Sequence, residues 1–142
     1  MAEKWGKRLF TSGAVVVILL GAAHSLSLFE KMTPTNDTER QLLDLMSNYR
    51  FNLAGSMRSM DNLLRGFSIC FMVGAIGLGA LDLALARERA GLVKRVALIN
   101  ALWLAVFTAV TLHFFFIIPT TFIVVALLLF VLAWIMLPQS VS

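Results

Sequence analysis

His24 and His113 are the residues of this sequence best suited to chemistry. A neutral imidazole can ligate haem iron or another transition metal, and it can relay a proton. Each histidine lies inside a long apolar stretch, five residues before the end of one closing near Phe29 and five before the end of one closing near Ile118. At about 1.5 Å per helical residue, both sit roughly 7–8 Å below one boundary of the apolar layer. Ionisable side chains within such stretches are functional candidates. Haem b held by the pair is the cofactor this pattern admits, and a quinone or lipid pocket with the histidines in its wall is the related reading. The structural alternative is hydrogen bonding of the imidazoles to Ser25, Ser27, Thr108 or Thr111. No C-x-x-C-H, no H-E-x-x-H and no nucleophile with base and orienting partner can be assembled from the spacing.

Two further polar groups accompany the histidines. Arg58, Asp61, Arg65 and Ser68 fall on one helical stripe, and with Asn48 and Asn52 they are candidates for an outer polar pocket. Asp61 and Arg65, one turn apart, are positioned to pair. Asp82 and Asn100 stand at similar distances from a basic turn and are expected to meet in a polar clasp, with Arg87, Lys94 or Arg95 available to neutralise the carboxylate. Between the groups, Ile69 to Leu81 offers no polar residue beyond Cys70, which argues against transport through one copy of the chain.

These residues need elements to position them, and composition says which. Of 142 residues 59% are apolar and 14% charged, against about 45–50% and about 25% in ordinary soluble domains. With a mean hydropathy of +0.85, the chain is a membrane protein, which excludes a cytosolic enzyme, a disordered chain and a nucleic-acid module. A lone cysteine excludes internal disulfides and four-cysteine metal sites. A spanning helix needs about 20 apolar residues, and four segments qualify: about 9–29, 63–85, 96–118 and 120–137. The expected fold is an all-α bundle of four transmembrane helices in a single membrane domain, 1–142.

Lys4, Lys7 and Arg8 precede the first span, while Arg87, Arg89, Lys94 and Arg95 crowd the connection between the second and third. The positive-inside rule puts both in the cytoplasm, together with the C-terminal residues Pro138 to Ser142. A cleavable signal ending near Gly21-Ala22-Ala23 is the competing reading of the first span. Pro119 is the expected break between spans three and four.

The outward connection, Glu30 to Asn62, carries its own pattern. Thr35 to Glu39 offers helix caps, and Leu42, Leu45, Met46, Tyr49 and Leu53 recur at threes and fours. An extra amphipathic helix over about 37–53 is expected on the outer surface, with a bend at Gly55-Ser56. Gly66, Cys70 and Gly74 repeat at four, a spacing that permits close helix contact.

The stretch Gly21-Ala22-Ala23-His24, Thr38 to Met46, Gly55 to Met60 and Gly66-Phe67-Ser68 resembles a family of small bacterial four-helix membrane proteins of unassigned function, and more distantly families of the DoxX kind. The resemblance implies a bacterial membrane protein whose distinctive half is its outward face. The function expected is that of a non-enzymatic inner-membrane protein, an accessory or interaction subunit of a larger complex or a self-associating homo-oligomer, with the lipid bilayer as its surroundings and no nucleic-acid partner.

Overall fold

A computed structural model describes residues 1–30 and 32–139. Among them are five helices and one hairpin: α1 (Ala2–Leu26), α2 (Asp37–Asn48), β1 (Phe51–Leu53), β2 (Ser56–Arg58), α3 (Met60–Leu85), α4 (Ala90–Phe114) and α5 (Ile117–Met136). Helices α1, α3, α4 and α5 are each long and apolar enough to cross a membrane, compatible with a multi-pass membrane protein. The tail residues 140–142, expected on the cytoplasmic side, lie outside the described residues.

The helices do not begin and end where the apolar segments do. α1 starts at Ala2 and stops at Leu26, short of Phe29, as three successive i→i−3 turns close the chain from Ser27 to Phe29. α3 starts at Met60, three residues before the apolar run, because Ser59 caps it: the Ser59 hydroxyl accepts from Asn62 N at 3.3 Å and Asn62 Oδ1 from Ser59 N at 3.5 Å. α4 covers 90–114 and α5 begins at Ile117, so the break falls at Phe115-Phe116 and not at Pro119. Pro119 occupies the first turn of α5, where a missing N–H costs no intrahelical bond.

Glycines decide which helices approach closely. A Cβ at Gly79 would come within 2.6 Å of Ile18 Cγ1 and 2.7 Å of the Ala14 carbonyl oxygen, and one at Gly21 within 3.0 Å of the Met72 carbonyl oxygen, so α1 and α3 pack nearly backbone to backbone. On its other side α1 offers Gly13 to Phe130 of α5 and Gly6 to Leu137, the residue that follows α5. Phe10 and Phe130 then fill the core edge to face, with ring centroids 5.3 Å apart. α4 packs on α5. α3 and α4, although joined directly, are held apart by aromatic side chains: Phe71 stacks on Phe107 at 6.4 Å, and Trp103 lies against Phe107 at 4.3 Å.

The connection from α1 to α3 corrects the expected helix over 37–53. α2 ends at Asn48, and the next residues form a hairpin pairing Phe51 with Arg58 and Leu53 with Ser56. Ala54 (φ 50°) and Gly55 (φ 85°) are the two loop residues, both left-handed as a two-residue turn of the primed type requires. Asn52 Oδ1 accepts from Gly55 N at 2.8 Å and secures the turn. Leu53 and Asn52 therefore belong to a strand, and Arg58 to its partner rather than to the α3 stripe.

Candidate functional site

At the end of the bundle that holds the α3–α4 connection, Asn100 Nδ2 donates to Asp82 Oδ2 at 2.8 Å, and the residues are 5% and 1% exposed. The pair bridges α3 and α4 where their backbones stand apart. Asp82 lies one turn beyond Gly79, the point of closest approach to α1, which is why it is sealed from its surroundings. A buried carboxyl is costly without hydrogen bonds, and Asn100 supplies one. None of the expected cations reaches it: among the described residues the ion pairs are Lys7–Glu3, Arg40–Asp37 and Arg65–Asp61. Lys94 turns away, its ammonium donating to the Leu137 carbonyl at 2.6 Å and lying 5.9 Å from the Trp134 ring centroid. Arg87 and Arg95 are exposed. The geometry is that of a helix clasp without a salt bridge.

At the opposite end of the bundle the two histidines differ. His24, two residues from the end of α1, is half-buried with its ring edge-on to Phe71 at 4.9 Å. His113, next to the last residue of α4, is exposed and lies against its neighbour Phe114 at 4.5 Å. Both are thus in the last helical turn, nearer the helix ends than expected. Neither imidazole has a side-chain hydrogen bond among the described residues, since the expected hydroxyl partners are turned to carbonyls of their own helices: Ser25 to Ala22, Ser27 to His24, Thr108 to Leu104 and Thr111 to Thr108. A hydroxyl in a helix reaches the carbonyl three or four residues back more readily than a neighbouring ring. Among the described residues no three His, Cys, Asp or Glu side chains converge on a point that could hold a metal ion.

Asp61 Oδ2 accepts from Arg65 Nε at 3.0 Å, pairing as the spacing predicts, in an exposed position that makes it worth little to stability. Ser68 is half-buried on the same helix. The two asparagines are occupied locally: Asn48 Nδ2 donates to Asp44 at 2.7 Å, and Asn52 holds the hairpin turn. Arg58 Nη1 donates to the Met57 carbonyl, and its side chain borders a shallow groove of about 450 Å³ along α3, continued by Asn62, Gly66, Phe67 and Cys70. Sequence reasoning missed both the hairpin that delivers Arg58 to this groove and the Ser59–Asn62 box that orients the start of α3. The signals were present as a serine three residues before an asparagine at the head of an apolar run, and as Ala54-Gly55 between Phe51-Asn52-Leu53 and Ser56-Met57-Arg58.

The groove lies on an unusual face. Cβ atoms at Gly66, Gly74 or Gly77 would meet nothing within 4 Å, Cys70 is exposed between them, and α3 is the least buried of the four long helices. At the far side of α2, Leu42, Leu45 and Tyr49 form a second exposed apolar stripe, while Leu43 and Met46 are partly covered. No protein family, curated protein or solved structure matches the chain.

Proposed function

We propose that the chain is a small, non-enzymatic integral protein of the bacterial inner membrane that works by association, either with copies of itself or as an accessory subunit of a larger complex. The observation that carries this reading is the outward face of α3. Small residues allow the close backbone approach on which helix association in lipid depends. On α1, and at Gly79, glycines serve that purpose within the chain; Gly66, Gly74 and Gly77 serve nothing within it. Together with Cys70 they form a flat strip able to receive another helix.

The proposed orientation puts both termini in the cytoplasm. Seven basic residues, Lys4, Lys7, Arg8, Arg87, Arg89, Lys94 and Arg95, stand against Glu3 and Glu88 at one end of the bundle. The Lys7 ammonium donates to the Glu88 carbonyl at 2.6 Å, which brings the two basic segments together. From Glu30 to Arg65, by contrast, five basic residues balance five acidic ones. In this reading α2 is an amphipathic helix in the outer interface, its Leu42, Leu45 and Tyr49 dipping into the headgroup region.

Cys70 makes the reading testable in native membranes. Oxidation with copper phenanthroline is expected to give a disulfide-linked dimer, and Gly66→Leu with Gly74→Leu to abolish it. If the association is instead with another subunit, mild-detergent purification yields a co-purifying protein that the same pair of substitutions releases. A monomer with neither crosslink nor partner overturns the proposal.

A further inference from the structure

The first three turns of α1 carry a second exposed feature, on a different helix and at the opposite end of the bundle from the α3 groove. Lys4, Trp5, Arg8, Thr11 and Ser12 border an open groove of about 870 Å³. Lys7 also reaches it, but its ammonium is spent on the Glu88 carbonyl and on Glu3 at 3.9 Å. Lys4 and Arg8 have no carboxylate within ion-pairing distance among the described residues. Four residues apart, they project from one side of the helix. The Arg8 guanidinium lies 5.3 Å from the Trp5 ring centroid, which steadies it at the rim of the groove.

Above the cations the same side of α1 changes character. Ser12, Val15, Leu19, Ala22 and Leu26 follow at intervals of three and four, all exposed, while α3 and α5 cover the rest of the helix. From Arg8 to Leu19 the rise is roughly 16 Å, close to half of a hydrocarbon layer about 30 Å thick. A cationic groove continued by an exposed helix face that is apolar from Val15 on and leaflet-long matches the layout of one phospholipid, headgroup and acyl chain.

We propose that the Lys4–Arg8 groove binds the phosphodiester of an anionic phospholipid whose acyl chain lies along Ser12, Val15 and Leu19. Two unpaired cations match a headgroup with net negative charge. The one carboxylate among the groove's lining residues, Glu3, stands beside Lys7 at 3.9 Å, so with Lys4 and Arg8 the groove carries a net positive charge. The exposed apolar face of α1 next to the cations favours a lipid over free phosphate. The inference rests on the chain being a membrane protein and is independent of whether α3 associates.

Native mass spectrometry of the full chain in neutral detergent, titrated with phosphatidylglycerol, phosphatidylcholine or inorganic phosphate, tests it. Phosphatidylglycerol is expected to bind preferentially, and Lys4→Gln with Arg8→Gln to weaken it about 30-fold at roughly 1 kcal/mol per cation, whereas Arg87→Gln with Arg89→Gln, outside the groove, weakens it far less. A photoreactive acyl chain on the same lipid is expected to label α1 between Ser12 and Leu19. Equal binding of the two lipids, equal loss in the two double variants, competition by phosphate at the lipid's own concentration, or labelling confined to α3 would each overturn the assignment. Both variants change exposed side chains, and an unchanged far-UV helical signal verifies that they fold.

Discussion

Among the described residues, Asn100 and Asp82 form the one side-chain hydrogen bond that joins α3 to α4, at 2.8 Å and buried on both sides. With no cation of the described residues within ion-pairing distance, the pair holds by mutual satisfaction. Removing one partner strands the other: Asn100→Leu is expected to cost about 1–3 kcal/mol, while Asp82→Leu with Asn100→Leu returns close to wild type. Thermal unfolding of the four members of this cycle in one detergent measures the coupling. A double variant destabilised by the sum of the singles would mean that the bond contributes nothing of its own.

Gly79 and Gly77 give opposite results on one helix. Gly79→Ala drives a methyl group against Ile18 and the Ala14 carbonyl, and is expected to destabilise by about 1–3 kcal/mol as α1 and α3 separate. Gly77→Ala meets open space within the chain, so in dissociating detergent the better helix propensity of alanine should raise the stability of the single chain by up to about 1 kcal/mol. Denaturant or thermal midpoints of the two variants decide the matter.

The hairpin turn holds a strained alanine. At φ 50°, Ala54 occupies backbone space that a glycine or asparagine enters more cheaply. Ala54→Gly is therefore expected to protect the hairpin amides more strongly against hydrogen exchange, by up to about fivefold, and Gly55→Val to expose them.

Acid should loosen the start of α2. Thr35 donates to Glu39 Oε2 through both its backbone N–H and its hydroxyl, each at 2.7 Å, and these bonds hold the Glu39 carboxyl below its ordinary range. Asn36 Oδ1 accepts from Glu39 N and completes the cap. Because the folded-state value is depressed, the stabilisation is full above the ordinary glutamate value of about 4.3 and disappears as pH falls through the lowered one. The protection factor of the Thr35 amide, its exchange measured against the intrinsic rate at each pH, should therefore fall only in that acid window. In Glu39→Gln it should be low at neutral pH as well. No change between pH 7 and pH 3 would refute the assignment.

What could be read from the residues alone followed the physics of each feature. Long apolar runs made the four long helices plain, since lipid leaves a backbone little choice but helix. Their ends were less plain, because Lys4, Lys7, Arg8, Lys94 and Arg95 are charged and helical at once, and hydropathy marks only where uninterrupted apolar residues begin. The Asp61–Arg65 pair followed from helical spacing. That Asp82 would meet Asn100 without a cation did not, because the direction of Lys94 depends on the Leu137 carbonyl at the end of α5. Nor did the wide separation of α3 and α4, which is set by Phe71, Trp103 and Phe107 filling the space between two helices that chain connectivity alone would have made close neighbours.

The link between α4 and α5 has a consequence for how the chain is made. Only Phe115 and Phe116 separate the two helices, and from Phe114 to Ile118 every residue is large, apolar and exposed. A tip of this composition carries no charge to drag through hydrocarbon, and two residues leave no slack for one helix to enter without the other. During synthesis α4 and α5 should therefore leave the insertion machinery as a single folded hairpin, with α4 waiting beside the channel until α5 has emerged from the ribosome.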